Sequence, residues 1–164
     1  MLKTAIIMGS KSDFDVVKPA AKILKSFGVA VDLRVISAHR TPDMAHEFAI
    51  NAVKNGYGVI IAAAGKAAHL GGVIAAGTTI PVIGLPVQTS FMGGLDSLLS
   101  IVQMPSGIPV ATVGVNAGEN AGILAAQILA LSDGELAKKI KDFKTQMSQK
   151  IAADDKALQQ ELNF

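Results

Sequence analysis

The chain has 164 residues, 50% hydrophobic but only 4% aromatic, with 16 glycines, no cysteine, no tryptophan and a net charge of +2. The missing cysteines exclude disulfides, iron–sulfur clusters and thiol catalysis, and the three histidines, at 39, 46 and 69, lack metal-ligand spacing. No basic patch is interleaved with aromatics, no run approaches ~20 apolar residues, and the amino-terminal apolar run is too short for a secretory signal; these features argue against nucleic acid, membrane spanning and export, and for the cytoplasm.

The length suits one domain over 1–164. Apolar content that is mostly Ala, Val, Ile and Leu suits a buried parallel sheet under small-residue helices. A mean hydropathy of +0.43 predicts apolar surface covered by further copies of the chain.

In chain order the pattern predicts a strand and a helix five times over, then an extra helix. Residues 4–8 form a short apolar strand. Gly9, Ser10, Lys11, Ser12 and Asp13 then open a helix that runs to about Phe27, with Gly28 as its stop. The turn offers hydroxyls and free N–H groups to a phosphate and the Asp13 carboxylate to ribose hydroxyls; equally, Ser12 or Asp13 simply caps the helix. Its spacing is neither that of a Walker loop nor GxGxxG.

Residues 29–36 alternate as a half-buried strand does. Ser37, Ala38, His39, Arg40, Thr41 and Pro42 turn from it into a helix over 42–55, with Thr41 as side-chain N-cap and Pro42 as first helical residue. A titratable imidazole and a fixed cation thus stand where helix N–H groups favour an anion. His39 lacks the helical apolar context of a core histidine and reads as catalytic or ligand-contacting. The Arg40 fork suits phosphate oxygens. His46, midway along the helix beside Glu47, reads as solvated.

Residues 58–64 are one apolar run, the mark of a strand buried on both faces. The segment from Ala64 and Gly65 to His69 and Leu70 follows, with small residues that let a substrate approach the backbone and a short helix within 65–76. His69 either orients a carboxylate or merely packs. A fourth strand is expected over 81–85, a helix over Leu95–Val102 with Asp96 at its start, a fifth strand over 109–115, and a helix over 119–131 whose entrance holds Asn116 and Asn120 as caps or substrate contacts. From about 133 an extra helix carries Leu136, Ile140, Phe143, Met147 and Ile151 on one stripe, which packs on its own domain or on a neighbouring subunit.

This alternation implies an α/β, three-layer, flavodoxin-like domain: a parallel sheet with helices on both faces and an extra C-terminal helix. Ligands bind such sheets beyond the carboxyl ends of the strands. The clusters after strands one, two and three must therefore share one rim.

Taken together, Gly-Ser-x-Ser-Asp at 9–13, Ser-Ala-His-Arg-Thr-Pro at 37–42, Ala-Ala-His-Leu at 67–70 and Asp-Ser-Leu-Leu-Ser-Ile-Val-Gln-Met-Pro at 96–105 resemble the N5-carboxyaminoimidazole ribonucleotide mutase family, the bacterial catalytic subunit of phosphoribosylaminoimidazole carboxylase. The resemblance covers about 4–131. It implies, in purine biosynthesis, transfer of a carboxyl group from the exocyclic nitrogen of an aminoimidazole ribotide to ring carbon four, with neither ATP nor metal and so no cofactor. It implies Ser10, Asp13 and Arg40 as ligands of the ribose 5-phosphate, helped by Gly9, Ser12 and Ser37. It implies His39 as the acid–base residue, Ala64, Gly65, His69 and Leu70 as the carboxylate pocket, and octamers with sites between subunits.

One imidazole can serve such a reaction twice. Protonating the carbamate nitrogen as its C–N bond breaks gives carbon dioxide and aminoimidazole ribotide; carbon four then attacks the carbon dioxide and its surplus proton is removed. The chain departs from the family pattern at Ala63, Lys66 and Gly71, and the region 114–120 is about two residues short. Lys66 either sets a cation beside the substrate carboxylate or points to water. The alternative activity is direct carboxylation of aminoimidazole ribotide, as in the animal-type branch; Arg40 and Ala67–Leu70 favour the mutase. A flavin carrier lacks its aromatics here, and a phospho-receiver lacks an acid at the end of strand three.

Overall fold

The computed structural model describes residues 2–162. Strands β1 (Lys3–Met8), β2 (Val31–Val35), β3 (Tyr57–Ala64), β4 (Val82–Pro86) and β5 (Ala111–Thr112) pair in parallel in the order β2-β1-β3-β4-β5. Helices α1 (Phe14–Ser26), α2 (Pro42–Ile50), α3 (Leu70–Gly77), α4 (Leu95–Val102), α5 (Gly118–Ala130) and α6 (Gly134–Leu162) complete the chain.

Successive strand residues face opposite ways, and the apolar runs therefore feed two cores. Ile6, Met8, Val59 and Ile61 pack with α1, α5 and the start of α6, whereas Ala5, Ile7, Ile60 and Ala62 pack with α2, α3 and Ile101 of α4. Those are the three layers of a flavodoxin-like domain. The small-residue composition has a structural cause: α5 lies directly on α1. A Cβ on Gly118 would collide with the Val16 carbonyl, and one on Gly122 would come within 2.8 Å of the Ala20 carbonyl.

Register places the site. Met8 is level with Val35 on one side and Ala63 on the other, and Ala63 is level with Leu85. Four strands therefore end at one height, and the loops after β1, β2, β3 and β4 leave from the same rim. At the opposite end, the Lys3 ammonium and the Tyr57 hydroxyl donate to Asp32 at 2.7 and 2.8 Å. The Lys3 bond, then the Tyr57 bond, hold the Asp32 carboxyl below its ordinary range.

Several boundaries differ from expectation. The fifth strand shrinks from 109–115 to Ala111–Thr112, because Pro109 has no N–H to donate and only β4 flanks this edge. Helix α2 ends at Ile50 rather than 55; residues 51–56 close a turn through Asn55 N–H on the Asn51 carbonyl, with Gly56 at φ +78°. The second strand covers only Val31–Val35 of 29–36 and is exposed along much of its length, an open edge. The stripe on α6 divides: Leu136 and Ile140 are buried and Phe143 sits edge-on to Phe27 at 5.5 Å, but Met147 and Ile151 are exposed. No described helix is long and apolar enough to cross a membrane.

Candidate active site

After β1, Gly9 is tied by its N–H to the Ala63 carbonyl at 3.1 Å. Ser10 caps the short 3-10 turn Lys11–Asp13, its hydroxyl accepting from the Ser12 amide (3.3 Å) and the Ser12 hydroxyl (2.9 Å). Asp13, at the head of α1, makes no side-chain cap bond, so its carboxylate is left for the rim rather than for the helix. Partial burial raises its carboxyl above the ordinary value, with the Ser12 hydroxyl, the Ser10 backbone and the Arg40 charge pulling the other way.

After β2, the Thr41 hydroxyl does not cap α2. It accepts from the Ser37 amide and donates to the Ser37 carbonyl, both at 3.0 Å, closing the turn on itself. A short hydroxyl prefers such local backbone partners wherever the turn presents them. Pro42 does open α2 as expected. The tight turn delivers Arg40 back to the first loop. Its Nη2 donates to the Gly9 carbonyl at 2.7 Å and its Nε to the Ser37 hydroxyl at 3.3 Å. The neighbouring His39 swings over β1 to the β3 side, where its Nε2 lies 2.9 Å from Nδ1 of His69, the rings at 86°. One ring donates and the other accepts, so the tautomers of the two histidines are tied together.

These loops enclose one cavity of about 600 Å³, open to solvent. A model of the family described as AIR carboxylase matches residues 3–150. The chain belongs to the AIR carboxylase family. It is 52% identical over 160 residues to a protein of Thermotoga maritima named N5-carboxyaminoimidazole ribonucleotide mutase, covering 98% of this chain and 94% of that one. A Pyrococcus abyssi protein of the same name is 55% identical over 147 residues, covering 90% and 84%. The solved structure of Treponema denticola PurE superposes with a TM-score of 0.87 at 31% identity, covering 94% of this chain and 97% of that chain.

In this AIR carboxylase family chain, Gly9, Ser10, Asp13, Ser37, His39, Arg40, Ala64, Gly65, His69 and Leu70 all line the cavity. Ser12 is the exception among the residues expected there: it stands off the wall, its hydroxyl donating to Ser10 and Asp13. His46 is exposed, as expected of a solvated residue. Among the described residues no cluster of three His, Asp or Glu side chains could hold a metal.

Sequence reasoning passed over the loop after β4, from which Val87, Gln88, Thr89 and Ser90 supply another wall. The signal was available, since the rim argument applies to a fourth strand as it does to three. That wall is anchored from both ends. Asn116 accepts from the Gln88 amide at 2.9 Å and donates to its side-chain oxygen at 3.1 Å, while the Thr89 hydroxyl donates to Asp96 at 2.6 Å. Asn116 is thus a hook for this wall rather than a helix cap. Lys66 also lines the cavity, at φ +57°, in the left-handed region that costs a side chain roughly 1 kcal/mol.

Proposed function

We propose that this cavity carries out carboxyl transfer within N5-carboxyaminoimidazole ribonucleotide, with His39 as the residue that gives and then takes the proton. The chain is a mutase of de novo purine biosynthesis, producing 4-carboxy-5-aminoimidazole ribonucleotide. The observation that supports the assignment of roles is that His39 lines the same cavity as Ser10, Asp13 and Arg40.

Ser10, Ser37 and Arg40 hold the 5-phosphate, where charge-assisted N–H bonds are strongest, and Asp13 accepts from the ribose. His39 protonates the carbamate nitrogen as the C–N bond breaks. The carbon dioxide released stays beside Ala64, Gly65 and Leu70, whose small or apolar surfaces exclude water and keep it near carbon four. After the new C–C bond forms, His39 removes the proton from carbon four. Because its Nε2 is tied to His69, each change at His39 is felt by the partner ring, which makes His69 part of the proton-holding unit.

The test is a direct comparison of substrates. Purified protein should convert the N5-carboxy nucleotide rapidly, and aminoimidazole ribonucleotide with low bicarbonate only slowly. Fast turnover of the latter pair would instead assign direct carboxylation.

The whole chain serves as one mutase domain, with its C-terminal helix from about 133, acting in the cytoplasm as a homo-octamer. Leu33, Val35, Met44 and Ile50 are exposed along the open β2 edge and α2, Val53 in the turn after α2, and Phe91 and Met92 on the loop after β4, which supports burial by further copies. Light scattering is expected to give eight times the chain mass; a monomer at working concentration would refute the assembly.

A further inference from the structure

We propose that Lys66 is a substrate-binding residue that holds the migrating carboxylate, at the end of the cavity away from the phosphate. This rests on the mutase reading. Arg40 and Lys66 are cations on the cavity wall from different loops, and the sheet order sets them apart. The Arg40 guanidinium is held at the Gly9 carbonyl beyond β1, whereas Lys66 follows β3, so the two charges come to the cavity from the ends of different strands. Only Arg40 is near enough to Asp13 to act on its charge. The hydrogen bond between His39 and His69 joins the loop that carries Arg40 to the loop that carries Lys66.

Lys66 is available for this task. Among the described residues the one ion pair is Lys3 with Asp32, at the far end of the sheet, and no carboxylate lies within ion-pair reach of the Lys66 ammonium. The Ser100 hydroxyl lies 3.4 Å from the Lys66 carbonyl but gives its proton to the Asp96 carbonyl at 2.7 Å, so it leaves the Lys66 loop only loosely tied. The backbone at φ +57° favours glycine, so local conformation does not account for a lysine here. A flexible ammonium is a point charge, able to follow a carboxylate from nitrogen to carbon without a fixed fork geometry.

The charge makes a specific demand. Substrate and product each carry a carboxylate that aminoimidazole ribonucleotide lacks, so Lys66 separates these ligands and leaves their common ribose phosphate alone. The experiment titrates 4-carboxy-5-aminoimidazole ribonucleotide and 5-aminoimidazole ribonucleotide into the wild type, Lys66→Gly, which suits the backbone, and Lys66→Met, which keeps the stem. Both variants are expected to bind the carboxylated nucleotide about tenfold more weakly, the scale of one charge-assisted hydrogen bond, and the decarboxylated one within twofold of wild type. The wild-type preference should shrink as salt is raised. Equal losses for both nucleotides, or no loss for either, would overturn the proposal while leaving the mutase reading in place. Wild-type protein that binds neither nucleotide would overturn the mutase reading and this one with it.

Discussion

Replacing His39 by asparagine is expected to lower kcat for carboxyl transfer by roughly 10³-fold, within the range lost when a positioned acid–base group is removed. Ribotide affinity should stay within a few-fold of wild type and the melting temperature should hardly move. Asparagine keeps a polar side chain, but one that ends short of Nε2 and has no proton to exchange near neutral pH. The expectation of intact folding is physical. His39 is exposed, and its one side-chain hydrogen bond is to His69, itself exposed, so no buried polar group is orphaned and no cavity opens. Rapid-quench turnover beside equilibrium titration and calorimetry separates the quantities. Turnover within tenfold of wild type would remove this imidazole from the proton path and leave His69 as the candidate.

The two histidines also bear on how the site is assembled. They sit thirty positions apart, on loops that follow β2 and β3, strands that do not touch because β1 lies between them. A side chain from one loop must cross that gap to meet the other, and the turn closed by Ser37 and Thr41 aims it there. The same turn sends Arg40 the shorter way, to the Gly9 carbonyl. Adjacent residues thus reach neighbouring parts of one cavity, Arg40 the Gly9 loop and His39 the loop that carries His69.

The sequence made the strands and the rim legible because these follow from periodicity and chain order alone. The apolar run in β3, the helix over Leu95–Val102 and the convergence of the first three loops needed only alternation and right-handed crossovers. What stayed hidden was the choice among nearby polar partners. Thr41 had the residue type and position of an N-cap, yet the Ser37 backbone was closer to hand. Ser12 had the hydroxyl of a phosphate ligand, yet the 3-10 turn directs it to Ser10 and Asp13. Asn116 stood at a helix entrance and hooked the loop after β4 instead. Such outcomes depend on differences of an ångström between competing acceptors, and spacing in the chain does not encode them. The fifth strand failed for another reason: apolar residues on a sheet edge beside a proline have a strand composition but too few partners.

Arg40→Ala should weaken binding of the ribotide roughly 30-fold, equivalent to about 2 kcal/mol for a lost charge-assisted bond to phosphate, while turnover at saturation falls only a few-fold. The guanidinium is oriented before substrate arrives, by the Gly9 carbonyl on Nη2 and the Ser37 hydroxyl on Nε, and its remaining N–H groups have no partner among the described residues. A fork held in that way loses little entropy on meeting a phosphate. It also ties the first two loops together, so weaker binding alone would not distinguish lost charge from a displaced loop. The corresponding riboside, which lacks the phosphate, makes the distinction. If Arg40 acts on the phosphate, riboside affinity is the same in wild type and variant; if it acts by holding the Gly9 loop in place, both ligands weaken together. Arg40→Lys sharpens the contrast, since an ammonium keeps the charge but lacks the planar fork that reaches carbonyl and phosphate at once, and it should recover only part of the lost affinity.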